Sequence, residues 1–228
     1  MRRTLTAIFA LMASALICGS PAMAGSEEQA LVDKAKLTVD EFARSGDMGG
    51  FQDYLKRAKA VIVIPQLLKA GFFIGGSGGS GVLLANGDSQ GSFSHPSFIT
   101  MGSGSIGLQF GAEAQQIILV IMTEKGLDAV LRNKVTLGAD ASVAAGPIGG
   151  GGKVAATSSF SDIYSFAVSQ GLFAGVSVEG AVLQERREWN QKYYQKEVKA
   201  SDIVVRRQVL NKGAEALVGA LNELSKKP

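Results

Sequence analysis

Ser77 and His95 are the residues whose types could support covalent catalysis, because Gly75-Gly76-Ser77-Gly78-Gly79 reads as G-x-S-x-G and His95 is the single histidine. A nucleophile elbow also needs a strand-to-helix turn after the serine and a histidine late in the chain, behind an acid. Here Gly81 runs into Val82-Leu83-Leu84-Ala85, a further strand, and His95 stands beside Pro96 in a loop pattern. The same stretch, residues 76–81, satisfies G-x-G-x-x-G, but no helix follows whose N-terminus could hold a pyrophosphate. Residues 146–153 approach a phosphate-binding loop, with Pro147 in place of its first glycine and Val154 in place of the magnesium-ligating hydroxyl. One histidine and one cysteine do not make a transition-metal site. Acidic pairs such as Asp40 with Glu41 and Glu185 with Glu188 lie on charged helical stretches and read as solvated faces. No catalytic residue, metal or cofactor is expected.

What remains is surface chemistry. Lys56, Arg57 and Lys59 lie upstream of Lys69, which precedes Phe72 and Phe73 set between glycines. Cations beside aromatics suit a membrane interface. Lys34 and Lys36 flank the apolar face of an N-terminal helix that also carries Phe42. These nine residues are the candidate lipid contacts. A competing reading makes Phe72 and Phe73 alternate on a strand, with one of them in the core. Each cation near an anionic bilayer contributes only about 1 kcal/mol, so binding is weak unless apolar burial adds to it.

The elements that must position these groups follow from hydrophobic periodicity. Residues 26–44 place Leu31, Val32, Ala35, Val39, Phe42 and Ala43 on one side of a helical wheel, and a short helix is expected over 50–58. Residues 61–184 hold 22 of the 29 glycines and 12 charged residues, which reads as strands with bulges and close sheet packing. Strands are expected at 60–64, ended by Pro65, at 81–85 into an Asn86-Gly87 turn, and at 97–110, 114–123, 135–145, 152–157, 163–169 and 174–183. One helix, 124–132, interrupts them. From residue 184 the pattern is helical again, and 210–224 align Leu210, Ala214, Leu217, Val218, Leu221 and Leu224 on a face that packs on the sheet. The fold class is α+β: a strongly bent antiparallel sheet or open β-barrel with amphipathic helices at both ends. Residues 25–59 form its helical flank, 60–184 a glycine-rich β core and 185–228 a second helical flank.

The first 24 residues read as a secretory leader. Arg2 and Arg3 precede an apolar run over 5–17, too short to span a bilayer, and Ala22-Met23-Ala24 is a small-x-small cleavage pattern. A lipid-anchored alternative through Cys18 is disfavoured by the branched Ile17 before it. Of 23 Lys and Arg, two fall in the leader, leaving 21 against 20 Asp and Glu in the remaining single domain, 25–228. That balance argues against a nucleic-acid partner. Cys18 is the single cysteine, so the remaining domain holds no disulfide. The expected compartment is the periplasm, with the protein peripheral to a membrane.

These segments resemble the SYLF-domain family, found in bacterial exported proteins and in eukaryotic membrane-trafficking and actin-patch proteins. The resemblance rests on residues 58–65, from Ala58-Lys59-Ala60 to Ile64-Pro65, and on Lys69-Ala70-Gly71-Phe72-Phe73 followed by Gly78-Gly79-Ser80-Gly81-Val82. It continues through residues 133–138 with Ala145-Gly146-Pro147, and its strongest block is 162–183, from Asp162-Ile163-Tyr164-Ser165-Phe166 to Gly180-Ala181-Val182-Leu183. It covers residues 26–194. The resemblance implies lipid binding without enzymatic activity, assisted by an N-terminal amphipathic helix and directed to phosphoinositides in eukaryotic members. For an exported domain it leaves an anionic phospholipid or envelope membrane as partner, with no actin expected and any protein partner unknown. A periplasmic protein-interaction scaffold without lipid binding is the alternative.

Overall fold

The computed structural model describes residues 26–44, 49–71, 74–87, 92–106, 111–146, 160–169 and 172–226. Two helices come first, α1 (Glu27–Arg44) and α2 (Gly49–Arg57). Four long strands follow: β1 (Ala60–Gly71), β2 (Ile74–Ala85), β3 (Ser97–Ile106) and β4 (Gly111–Ile121). Helix α3 (Glu124–Val130) leads to the short strands β5 (Lys134–Thr136) and β6 (Val143–Ala145). Then come β7 (Ile163–Ser169), β8 (Leu172–Gly175) and β9 (Val182–Glu185). The chain closes with α4 (Arg187–Tyr194), α5 (Ala200–Val204), a 3-10 turn (Lys212–Ala214) and α6 (Glu215–Lys226).

The strands form one curled sheet, a half-barrel in the order β5-β9-β3-β2-β1-β4-β7-β6, with β8 paired to β7. All pairs are antiparallel except β6 with β7, which run parallel. The sheet is buried on both faces. In β1, Ala60, Ile62 and Ile64 point into one core, where Leu127 and Val130 of α3 and Ile203 and Val204 of α5 cover them. Val61 and Val63 point into the other, beneath Val32, Ala35, Val39 and Phe42 of α1, Leu55 of α2 and Leu217 and Leu221 of α6. Burial on both faces explains why the strand reads as an unbroken apolar run rather than an alternation. The apolar face of α1 expected from periodicity is the face that is buried.

Pro65 does not end the first strand. It sits in a bulge, where the register of β1 shifts against both neighbours, between Val63 and Leu68 on the β2 side and between Ile64 and Leu67 on the β4 side. Proline lacks the N–H a ladder needs, and a bulge is where a sheet tolerates it. Beneath the bulge lie Gly79 and Gly81: a Cβ at either would stand 2.5 Å from a β1 carbonyl oxygen, that of Gln66 or Val63. Of the G-x-G-x-x-G glycines this packing requires Gly81, whereas a Cβ at Gly76 or Gly78 would meet ordinary contacts at 3.4 and 3.9 Å, and β2 runs straight through the motif. Asn86-Gly87 is no two-residue hairpin either, since Asn86 bridges to Phe93 across a longer connection. The expected strand at 152–157 lies outside the described residues.

Asp162, at the start of β7, ties β7, β6 and α3 together. Its carboxylate accepts from Thr123 Oγ1 at 2.7 Å and from the Ser142 N–H and hydroxyl at 3.0 and 2.8 Å, with Lys125 Nζ at 3.3 Å. Thr123 is itself the N-cap of α3, accepting from the Gly126 N–H. Burial pushes the Asp162 pKa up, but these donors outweigh it and hold the carboxyl at about 2, below its ordinary 3.8.

Gly81→Ala is expected to lower the free energy of unfolding by about 1–3 kcal/mol, because backbone must move to admit the methyl. Gly104→Ala, whose Cβ meets nothing within 4 Å, should stay within about 0.5 kcal/mol; urea titration of both checks this. The depressed Asp162 pKa contributes about 2 kcal/mol that is complete above pH 3.8 and disappears as the pH falls toward 2. Asp162→Asn should remove that share of the acid dependence, read from denaturant midpoints across the range.

Candidate anion-binding cleft

At one end of the half-barrel the C-terminus of α2, the start of β1, the end of β2, the N-terminus of α3 and the segment after α5 meet around a cleft of about 600 Å³. Lys56 and Arg57 enter from the last turn of α2, where cations also complement the helix dipole. Lys59 follows one residue before β1, and Arg207 comes from the far end of the chain. Leu127, Val204 and Val205 supply apolar walls. Among the described residues, four cations thus face the cleft against one lining carboxylate, Glu124.

Each cation is positioned by the backbone around it. The Lys59 N–H donates to Ile121 O and the Asn86 N–H to Lys59 O, both at 2.8 Å, which clamps the mouth between β1, β2 and β4. Lys59 Nζ lies 2.7 Å from Glu124 Oε1, and Lys56 Nζ lies 3.6 Å from Asp53 Oδ1. These ion pairs are solvent-exposed enough to be weak and exchangeable. Arg57 donates from Nε to Asp53 O at 3.2 Å and lies over the Tyr54 ring. Arg207 adopts a left-handed backbone, φ 53°, and its guanidinium donates to Ser92 Oγ at 3.0 Å and to Ser92 O. Gly87 makes room for it, since a Cβ there would be 2.7 Å from Arg207 Nη2.

Of the nine residues singled out from the sequence, Lys56, Arg57 and Lys59 are brought together here. Lys69 is not: it stands ten residues along β1, about 30 Å of extended chain away. Lys34 is exposed beside a separate groove of about 400 Å³ lined by Leu37, Thr38, Glu41 and Gln116, and Lys36 is ion-paired with Asp40. Phe42 is a correction. It is fully buried, with its ring 5.3 Å from that of Phe51, so it belongs to the core and not to a lipid surface. Phe72 and Phe73 lie outside the described residues. Arg207 was missed, because what makes it a cleft residue is its contact with Ser92, 115 positions away.

The Ser77–His95 pairing does not form. Ser77 Oγ shares a hydrogen bond of 2.8 Å with Ser103 Oγ, while His95 lies beyond the opposite end of β2, more than about 26 Å of strand away. His95 Nδ1 instead accepts the Asn211 N–H at 3.0 Å, which anchors the segment carrying Arg207. Among the described residues no cluster of His, Cys, Asp and Glu could hold a metal, and no helix is long and apolar enough to cross a membrane.

An α+β half-barrel with a cation-lined cleft at one end is the class of domain that this fold defines. Residues 102–224, more than half of the chain, match the family described as "Ysc84: Las17-binding protein actin regulator", and the chain belongs to that family. It is 40% identical over 146 residues to LAS seventeen-binding protein 3 of Saccharomyces cerevisiae, covering 62% of this chain and 31% of that protein. Protein YSC84 of the same yeast is 40% identical over 144 residues, 61% of this chain and 30% of the relative. SH3 domain-containing YSC84-like protein 1 of Homo sapiens is 35% identical over 153 residues, 66% of this chain and 44% of the relative. The chain spans about a third to a half of the length of these relatives. The expectation that no actin-linked partner is involved is overturned by these names, since the family is described through Las17 binding and actin regulation.

His95 is pushed below its ordinary pKa of 6.5 by burial, with Glu215 acting in the opposite sense. The neutral ring is the form that accepts from Asn211, so its contribution to stability is complete above pH 6.5 and is lost as the pH falls through the lowered value. Thermal unfolding of His95→Gln is expected to depend less on pH below 6.5 than that of the unsubstituted chain.

Proposed function

We propose that this chain is a non-enzymatic binding module that docks on anionic phospholipid through Lys56, Arg57, Lys59 and Arg207. The observation that carries this reading is the convergence of four cations, from two separated stretches of sequence, on one solvent-open cleft with apolar walls. Guanidinium forks match phosphate oxygens in pairs and ammonium groups add point charge, so the set suits a phosphate-bearing headgroup. At about 1 kcal/mol per cation, four of them correspond to roughly a thousandfold in affinity for an anionic surface. We further propose that the surface is an envelope membrane reached after export, as the leader-like first 24 residues suggest.

A second reading is a protein partner from the actin-regulating machinery, favoured by the family's description and by the yeast relatives named for binding LAS seventeen. The two readings call for different compartments. Subcellular fractionation of the full chain in its own cell separates them, because an exported pool cannot meet a cytosolic cytoskeleton.

Among the described residues the members of the two cores fall between Leu31 and Leu224, all within the chain from Gly25. Co-sedimentation of that chain with phosphatidylcholine vesicles, with and without phosphatidylserine, tests the lipid reading. Binding is expected with the anionic vesicles alone. The Lys56→Gln/Lys59→Gln pair should weaken it by about thirtyfold, and Lys34→Gln/Lys36→Gln, outside the cleft, by less than about a third of that. No pelleting with anionic vesicles, or equal loss from the two pairs, sinks the assignment.

A further inference from the structure

We infer that segment 205–210 is a membrane-inserting loop that seats Val205 and Leu210 in the bilayer interface beside the basic cleft. The inference rests on the phospholipid reading above and adds to it a depth and an orientation.

Helical periodicity places Leu210 on the buried face of the last helix, and the fold puts it elsewhere. Asn211 caps the 3-10 turn, its Oδ1 accepting from the Gly213 N–H at 2.9 Å, so Leu210 precedes the helix and is 75% exposed. Val205, the C-cap of α5, is 52% exposed and also lines the cleft. Exposing two aliphatic side chains to water has a cost that an apolar environment removes. Between and after them stand Arg206, Arg207 and Lys212, and residues 205–212 contain no carboxylate. Arg206 pairs with Asp202 at 2.8 Å, and Arg207 faces the cleft. Aliphatic side chains among cations, with no acid in the segment, complement an anionic bilayer interface, where headgroup charge and acyl chains lie within a few ångströms of each other.

The loop is already shaped for this. Val209 turns inward onto the core, the Gln208 N–H donates to Asp202 O at 2.9 Å, Arg207 is held by Ser92, and Asn211 donates to His95 Nδ1 and, through Nδ2, to Tyr193 O at 2.8 Å. A loop held at these points loses little conformational freedom on binding, so the apolar contact is not spent on ordering it.

The test uses the chain from Gly25, which lacks Cys18, so that Leu210→Cys provides one site for an environment-sensitive nitrobenzoxadiazole label. With phosphatidylserine-containing vesicles the label is expected to shift to the blue and gain intensity, whereas the same label at Lys34→Cys, on α1, is not. In parallel, Val205→Ser/Leu210→Ser should bind those vesicles about tenfold more weakly in molar salt, where the Debye length is about 3 Å and apolar contact dominates. At low salt, where the cleft cations dominate, Leu210→Ser alone, which leaves the cleft wall intact, should bind within about threefold of the unsubstituted chain. Leu210→Trp should strengthen the high-salt binding, which guards against a serine variant that fails for lack of folding. Low-salt binding that persists with no label shift, and with equal high-salt binding of the serine variant, overturns the loop while leaving the cleft in place. Absence of binding at low salt removes both, and label protection by a protein partner but not by vesicles overturns the loop in favour of a protein surface.

Discussion

The rest of the structure depends on the burial of β1 on both faces. Residues 60–64 have no exposed surface, and their side chains feed two cores in alternation. A sheet with two apolar faces must be covered twice. One face takes α1, α2, α4 and α6, and the other takes α3, α5 and the curl of β5 and β9. The ends of α2, β1, β2, α3 and α5 consequently meet at one edge, and the cations carried there have no room in either core. The basic cleft is the place where two layers of cover stop.

The same constraint explains the glycine distribution. Because β1 bulges at Pro65 against both neighbours, the strand beneath it can carry no Cβ at Gly79 or Gly81. Gly81 of the nucleotide-like fingerprint and Gly79 of the elbow-like motif are in this chain the trace of close backbone approach. Asp162 performs the corresponding task at the other side of the sheet, where one carboxylate serves the α3 N-cap residue and the β6–β7 connection together. Both features fall within the blocks on which the family resemblance rests, and both are structural in their local action.

Much of the α+β architecture was legible because it depends on local periodicity. The buried face of α1, the strand at 163–169 and the helix after Thr123 are where the residue pattern places them. What periodicity misjudged has identifiable causes. Pro65 reads as a strand end because proline usually breaks a ladder, but a register shift on both sides accommodates it. Leu210 reads as part of a helical stripe because spacing alone does not see that Asn211 caps the turn behind it. Phe42 reads as a membrane contact from its amphipathic helix, and the sheet claims that face instead. The exclusion of actin-linked partners rested on an expected compartment, and the family's description reverses it.

By itself the sequence determined the class of the fold, the membership of its buried helix faces and the presence of basic residues near 56–59. These follow from residue type and short-range spacing, which carry hydrophobic patterning and local charge. Tertiary structure alone decided which cations share a cleft, that Arg207 joins Lys56, Arg57 and Lys59 while Lys69 stands apart, that Val205 lines that cleft, and that Leu210 is exposed. Those outcomes depend on contacts between residues more than a hundred positions apart, such as Arg207 with Ser92 and Asn211 with His95, and no local pattern encodes such a meeting.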